Sequence, residues 1–285
     1  MKLPTGERFA EIKSLRKGLG LATVCEEAQC PNIAECWGSG TATFMLLGDT
    51  CTRACRFCDV KAGNPGGRTD PDEPQKVADA VATMRLTYVV LTMVDRDDLP
   101  DGGAAHVAAT VRALKERVPG LLVETLLGDF KAAERDLTTV CGAPIDVLAH
   151  NVETTERLTR LVRDGKSGYG QTLKALESLK RLGGGRLTKS SIMLGLGETD
   201  AEVRSTLKDL RGVGVDVVTL GQYLQPSKWH LPVAEYVHPS RFDAWKAEAE
   251  ALGFLFCASG PLVRSSYKAG EMFVEKYLRT RGTPV

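Results

Sequence analysis

Residues 43–60 read TFMLLGDTCTRACRFCDV, an apolar run followed at once by a loop with three cysteines. The run at 43–48 has the length and composition of a β-strand that is buried on both faces. Cys51, Cys55 and Cys58 follow it with the spacing C-x3-C-x2-C. Three thiolates can bind one inorganic cluster, whereas clusters that only transfer electrons usually take four. The pattern therefore predicts a cluster with one open iron that binds a cofactor or substrate directly, as open catalytic zinc sites do.

A structural zinc site is the alternative interpretation of these cysteines. Such sites close with four Cys or His ligands and favour paired C-x2-4-C spacings. The three-cysteine spacing therefore favours an iron–sulfur cluster.

Five more apolar runs follow along the chain, at residues 88–94, 121–127, 147–152, 191–196 and 217–223. Apolar residues repeat at helical spacing between two pairs of these runs: Val107, Val111, Leu114 and Val118, then Val203, Leu207, Leu210 and Val213. Alternating strands and helices predict an α/β fold with parallel strands, either an open doubly wound sheet or a barrel. Six units favour a partial (β/α)6 barrel over residues 41–235, with an N-terminal extension at 1–40 and a C-terminal extension at 236–285.

A second group of cysteines precedes the first strand. Cys25, Cys30 and Cys36 form C-x4-C-x5-C within VCEEAQCPNIAECW. Free cysteines are often simply buried small residues, but the neighbouring acidic and amide side chains are too polar for a core strand. The three thiols therefore predict a second cluster, again with one corner that they do not fill.

Composition narrows the class of protein. The chain has 37 Lys and Arg against 36 Asp and Glu, a net charge of +1 that would not attract nucleic acid or an anionic membrane. No apolar run is long enough for a signal peptide or a membrane span, which predicts a cytoplasmic protein. Its eight cysteines should then stay reduced, which favours metal binding over disulfides. Cys141 and Cys257 match neither group and are expected to be buried.

The first cysteine motif, with Phe57 before its last cysteine, resembles that of the radical S-adenosylmethionine (SAM) superfamily. The resemblance implies that the amino and carboxylate groups of SAM chelate the open iron of a [4Fe-4S] cluster. An electron from that cluster would split the sulfonium and release a 5′-deoxyadenosyl radical, a reagent that no side chain can supply. Cys51, Cys55 and Cys58 would then be catalytic residues.

The rest of the chain resembles the lipoyl synthase family, which also has the second cysteine group. The matching segments are VDRDDLPDGGA (94–104), HNVET (150–154), LGLGET (194–199), QYLQPS (222–227) and RSSY (264–267). In this family a serine of the RSSY segment completes an auxiliary [4Fe-4S] cluster. It corresponds to Ser266, which we also assign as catalytic, with Ser265 as the less favoured choice.

The resemblance also implies residues that bind SAM. Gly102, Gly103 and Ala104 correspond to the glycine-rich segment that takes the methionine ammonium, and Phe57 is grouped with them. Glu153 and Glu198 are equal candidates for the ribose hydroxyls, because a carboxylate can accept both hydrogen bonds.

Family members insert two sulfur atoms at C6 and C8 of an octanoyl chain on a lysine of a carrier protein. The implied partners are the E2 subunit of a 2-oxoacid dehydrogenase or the glycine cleavage H protein, and an electron donor such as ferredoxin or flavodoxin. The alternatives are another radical SAM enzyme with an auxiliary cluster, such as a methylthiotransferase or a maturase, and least of all an electron-transfer protein.

Overall fold

A computed structural model of the protein describes residues 21–23, 32–33, 43–266 and 268–281. The described residues fall into two compact units. The first unit consists of the chain up to Arg53 together with Asp59–Phe130 and Glu134–Asp146. The second consists of Ala54–Cys58, Lys131–Ala133 and the chain from Val147 onwards. The first cysteine motif is therefore divided, with Cys51 in the first unit and the other two cysteines in the second.

The first unit contains six strands and three helices among its described residues. The strands are β1 (Ala22–Thr23), β2 (Thr43–Leu46), β3 (Thr50–Cys51), β4 (Lys61–Ala62), β5 (Tyr88–Met93) and β6 (Leu122–Leu126). The helices are α1 (Glu73–Thr83), α2 (Ala104–Arg117) and α3 (Glu134–Cys141). Strands β2, β5 and β6 pair in parallel in that order, and β1 pairs antiparallel with β2. Strands β3 and β4 form a separate parallel pair.

Helix α2 shows why these segments pack as they do. Val107, Val111 and Leu114, which repeat at helical spacing, are fully buried. Burial of each such side chain contributes about 1.5–3 kcal/mol relative to exposure. The helix is therefore stabilised mainly by one buried apolar face.

The second unit repeats the same arrangement. Its strands are β7 (Val147–Ala149), β8 (Leu187–Leu194), β9 (Val217–Gln222) and β10 (Phe256–Gly260), which pair in parallel in chain order. Its described helices are α4 (Glu156–Val162), α5 (Tyr169–Leu182), α6 (Asp200–Gly212), α7 (Pro239–Ala251) and α8 (Lys268–Arg281). The larger of two apolar clusters described in this unit includes Leu176, Ile192, Leu207, Val218 and Phe242.

Helix α6 begins at a local signal in the sequence. The Glu202 N–H donates to the Thr199 hydroxyl, and the Thr199 N–H donates to the Glu202 carboxylate at 2.8 Å. This reciprocal capping box satisfies two backbone donors that the first turn of a helix leaves open. It fixes the start of the helix directly after the LGLGET segment.

The predicted α/β fold class is confirmed, because parallel strands alternate with helices in both units. All six predicted runs coincide with strands, β2 and β5 to β9. Strand β8 starts four residues before its apolar run, since Thr188, Lys189 and Ser190 are buried despite their polarity. The parallel pairing also extends beyond residue 235, to β10. The domain boundaries at 40 and 235 stay a prediction.

Helices of the described ranges are too short or too polar to cross a membrane.

Candidate active site

Cys51 ends the short strand β3 in the first unit. The Gly63 N–H donates to the Cys51 carbonyl at 2.8 Å, and the Arg53 N–H donates to Cys51 Sγ at 3.4 Å. Burial raises the pKa of the Cys51 thiol, and the Arg53 N–H opposes that rise. A cluster that binds here must therefore displace a proton, as thiolate ligation of a metal does in general.

Cys55 and Cys58 lie in a tight turn of the second unit. The Cys58 N–H donates to the Cys55 carbonyl at 3.1 Å. Asp164 makes two hydrogen bonds to the start of this turn. Its N–H donates to Cys55 Sγ at 3.3 Å, and its carboxylate accepts from the Ala54 N–H at 2.9 Å. Backbone N–H groups directed at sulfur favour the thiolate over the thiol.

The loop after β9 contacts the other end of the same turn. The Leu231 N–H donates to the Arg56 carbonyl at 3.1 Å, and His230 Nε2 lies 3.1 Å from the Cys58 carbonyl oxygen. His230 Nδ1 lies 2.8 Å from Ser227 Oγ, which orients the ring. The QPS segment that ends at Ser227 therefore supports the cysteine turn.

Phe57 anchors this turn to the core of the second unit. Its partly buried ring packs against a cluster formed by Leu158, Val162, Leu196, Tyr223 and Leu231. This packing by itself explains why an aromatic residue stands at position 57 of the motif. Its grouping with the SAM-binding residues stays a prediction.

Gly102 and Gly103 form a left-handed turn before helix α2. Their φ angles are 61° and 91°. The Asp101 carboxylate accepts from the Gly103 and Ala105 N–H groups, both at 2.9 Å, and the Asp101 carbonyl accepts from the Ala104 N–H at 3.1 Å. Burial opposes ionisation of Asp101, yet the Ala105 and Gly103 N–H groups hold the pKa of its carboxyl below the usual value. With these N–H groups occupied, the segment can offer carbonyl oxygens. The Gly103 carbonyl also accepts from the Val107 N–H at 3.1 Å, but a carbonyl oxygen has two lone pairs and still suits an ammonium ligand.

The two candidate glutamates differ in their surroundings. Glu198 folds back on its own turn, where its carboxylate accepts from the Gly195 N–H at 2.5 Å and the Leu196 N–H at 2.9 Å. Glu153 accepts from the Asn151 amide at 3.1 Å and has a positive φ of 68°. Burial raises the pKa of the Glu153 carboxyl, and Arg163 opposes this. A strained backbone and a partly buried carboxyl with a raised pKa are features of functional positions.

Ser265 and Ser266 lie in a partly buried turn between β10 and α8. Arg264 connects this turn to neighbouring backbone, since its Nη1 donates to the Val263 carbonyl at 2.7 Å and to the Gln222 carbonyl at 3.5 Å. The serines therefore follow the last parallel strand of the second unit. Cys25, Cys30 and Cys36 lie outside the described residues.

The structure also bears on the other predictions for cysteine. Cys141 and Cys257 are buried, as expected, and burial raises the pKa of Cys257 to about 12. In the described part of the chain, no three or more Cys, His, Asp or Glu side chains converge as they would around a single metal ion. A cubane does not need such convergence, because each thiolate binds a different iron. Taken one by one, the thiols of the first motif are half-buried, and an N–H group donates to the sulfur of Cys51 in the first unit and of Cys55 in the second, which is the donor chemistry that such a group needs.

Sequence reasoning missed Asp164 and His230 as supports of the cysteine turn. Spacing gives no signal for His230, because the four histidines of the sequence are not arranged as metal ligands are. Its position just after the QPS segment was the available signal, since that segment follows a predicted strand.

Comparison with known proteins agrees with this geometry. The model of the radical SAM superfamily matches residues 45–210. The lipoyl synthase of Myxococcus xanthus is 58% identical over 275 residues, 96% of this chain and 92% of that protein. The mitochondrial lipoyl synthase of Culex quinquefasciatus is 55% identical over 285 residues, 98% of this chain and 75% of that protein.

Solved structures show the fold at much lower identity. The crystal structure of methylornithine synthase superposes with a TM-score of 0.52 at 17% identity, covering 94% of this chain and 72% of that one. The superfamily match and the relatives above 50% identity over most of both chains show that the chain belongs to the lipoyl synthase family of radical SAM enzymes.

Proposed function

We propose that this enzyme inserts two sulfur atoms at C6 and C8 of an octanoyl chain attached to a lysine of a carrier protein. Membership of the lipoyl synthase family supports the reaction class. The observation that supports the chemistry is the C-x3-C-x2-C loop, whose partly buried thiols receive backbone N–H donors. Family membership implies a [4Fe-4S] cluster and SAM.

In this proposal Cys51, Cys55 and Cys58 bind the radical cluster. When bound, the cluster supplies the electron that splits the SAM sulfonium and so provides the hydrogen-abstracting radical. The protein fixes the thiols through Asp164, His230 and the backbone around them. Correct placement of reacting groups is itself a large part of catalysis, because displacement by about 1 Å can cost roughly 100-fold in rate.

Two further elements would each contribute a group to SAM binding. The Gly102–Gly103 turn offers carbonyl oxygens to the methionine ammonium. Between the two glutamates, we propose Glu153 for the ribose hydroxyls, because Glu198 already accepts two backbone hydrogen bonds from its own turn. The sequence had left these residues equal.

A second [4Fe-4S] cluster would be the source of the sulfur atoms. Cys25, Cys30 and Cys36 of the N-terminal extension and Ser266 of the C-terminal extension would bind it. A serine oxygen is a harder and poorer iron ligand than a thiolate. An easily released ligand suits a cluster that gives up its sulfur.

The proposed partners are a carrier of the E2 or H-protein type and a low-potential donor such as ferredoxin or flavodoxin. A cytoplasmic location belongs to the same proposal, although several relatives are named as mitochondrial. Mass spectrometry of an octanoyl-lysine peptide after anaerobic incubation with reductant and SAM tests the reaction. A gain of two sulfur atoms is expected, whereas gain of a methylthio group would indicate a methylthiotransferase.

Cysteine variants separate the two clusters. Replacing Cys25, Cys30 and Cys36 by Ala should leave release of 5′-deoxyadenosine while abolishing the thiolated product. Replacing Cys51, Cys55 and Cys58 should abolish 5′-deoxyadenosine release while retaining an iron–sulfur spectrum. Iron in the reconstituted wild type should approach eight atoms per chain, because six cysteines exceed the four corners of one cubane. About four irons in fully active protein would refute the second cluster.

A further inference from the structure

Arg53 lies between Cys51 and Cys55 in the sequence, and its side chain is 2% exposed. A charge at this depth is costly unless it is paired. The guanidinium makes two bidentate pairs. Its Nε and Nη2 donate to Asp97 at 3.1 Å each, and its Nη1 and Nη2 donate to Asp129 at 2.7 and 2.8 Å. Only arginine has the planar fork that such a double arrangement requires.

The main chain beside Arg53 is tied to the same place. The Thr52 N–H and hydroxyl both donate to the Asp95 carbonyl at 2.9 Å, and the Asp97 N–H donates to Thr52 Oγ1 at 2.9 Å. Thr52 and Arg53 are thus attached to the loop after β5, and to Asp129 after β6. The backbone of Cys51, directly before them, is therefore set by two strand ends of the first unit.

The loop after β5 leads directly to the proposed SAM segment. The Leu99 N–H donates to the Arg96 carbonyl at 2.9 Å, and the Gly102 N–H donates to the Leu99 carbonyl at 3.2 Å. These two turns connect Asp97 to the Gly102–Gly103 carbonyl groups within a few residues. One short stretch of chain therefore contacts the cysteine loop at one end and forms the proposed ammonium site at the other.

We propose that Arg53 is a positioning residue that sets Cys51, and hence its cluster, relative to the carbonyl groups of Gly102 and Gly103. The inference rests on the proposed roles of these three residues in cluster and SAM binding. The Arg53 guanidinium is paired with Asp97 and Asp129, so it would act through the cysteine loop and not as a ligand. Its two carboxylate pairs determine whether the cofactor's amino group can reach the glycine turn while the same cofactor is chelated.

The test uses two variants and one matched control in the full chain. Arg53→Lys keeps the charge and removes the bidentate geometry. Asp129→Asn removes one of the two pairs. Asp146→Asn is the control, because Asp146 is also a buried aspartate of the first unit, paired with Lys115 at 2.6 Å and with the Val123 N–H at 2.6 Å. Asp129→Asn and Asp146→Asn therefore both lose a buried ion pair, and only the first of them loses a partner of Arg53.

Three measurements follow anaerobic reconstitution: iron per chain, the SAM-dependent change in the electron paramagnetic resonance spectrum of the reduced protein, and release of 5′-deoxyadenosine. We expect Arg53→Lys to keep its iron, to need at least about tenfold more SAM for the spectral change, and to release 5′-deoxyadenosine about 100-fold more slowly. Asp129→Asn should show the same changes to a smaller degree. Asp146→Asn should keep the wild-type SAM dependence even where its melting temperature falls.

Wild-type SAM dependence and rate in iron-replete Arg53→Lys would overturn the inference. If Arg53→Lys fails to bind iron, Asp129→Asn decides, because it retains the Arg53–Asp97 pair. A SAM dependence of Asp129→Asn equal to that of Asp146→Asn would then refute the role of Arg53. A wild-type protein with neither spectral change nor 5′-deoxyadenosine release would instead contradict the proposed function itself.

Discussion

Gly103→Ala tests the close contact between the proposed SAM segment and the end of the first long strand. A Cβ at Gly103 would lie 2.3 Å from Leu47 Cδ1 and 3.3 Å from Cδ2. Leu47 is 4% exposed, so its side chain cannot turn out into solvent without vacating the core. The backbone at Gly103 has a φ of 91°, which adds a cost for any residue with a Cβ.

These two costs can be separated by a matched variant. A left-handed conformation costs a non-glycine residue about 1–2 kcal/mol, and overpacking a core contact costs a further ~1–3 kcal/mol. Gly120 has a φ of 80° with nothing within 4 Å of its would-be Cβ, so Gly120→Ala should show the first cost alone. Gly103→Ala should therefore be less stable than Gly120→Ala by roughly 1–3 kcal/mol.

Thermal unfolding of the cluster-free chain under reducing conditions measures this difference. One kcal/mol shifts the melting temperature by about 2–4 °C in proteins of comparable size, so Gly103→Ala should melt several degrees below Gly120→Ala. Leu47→Ala should partly rescue Gly103→Ala, because the methyl group it meets is gone, and a double-mutant cycle isolates that coupling. Equal melting of the two glycine variants, or no coupling between Leu47 and Gly103, would refute the reasoning.

Other features give further expectations. Glu153→Gln should raise the SAM concentration needed for half-maximal 5′-deoxyadenosine release by tenfold or more, since hydrogen bonds to charged groups contribute about 1.5–3 kcal/mol. Glu198→Gln should chiefly lower the melting temperature. If Glu198→Gln instead raised the SAM requirement and Glu153→Gln only lowered the melting temperature, Glu198 would be the residue that binds the ribose hydroxyls. Ser266→Ala should release 5′-deoxyadenosine yet make less thiolated product than Ser265→Ala; full turnover would show that the wrong serine was chosen. Hydrogen bonds from Arg96 lower the pKa of Asp98 to about 2, so ionised Asp98 stabilises the fold above its unfolded pKa of about 3.9. The melting-temperature gap between wild type and Asp98→Asn should shrink as pH falls from about 5 to about 2, and a constant gap would count against this pair.

The strands and helices could be predicted because their signals are local. The apolar run at 43–48 and the helical spacing of Val107, Val111 and Leu114 depend only on neighbours along the chain, and the structure confirms both. Strand β8 was placed too late, because its first buried residues are polar. Lys189 is 1% exposed, a burial that only its tertiary surroundings permit.

The choice between Glu153 and Glu198 shows what local reasoning could not reach. Both are single glutamates in family segments, and nothing in their spacing separates them. The structure distinguishes them by hydrogen bonding, since Glu198 caps its own turn while Glu153 has a strained backbone and a raised pKa.

The cysteine ligands of the radical cluster could be predicted from the sequence alone. The three thiols of C-x3-C-x2-C lie within eight residues, and a cluster of this kind needs them in one loop. The contacts that orient that loop could not be predicted from the sequence. The partners of Arg53 lie 44 and 76 residues away in sequence, and they meet it only because parallel strands bring successive loops to the same edge. Short-range spacing thus determined which atoms can bind iron, whereas the position of those atoms depends on contacts that exist only once the strands have paired.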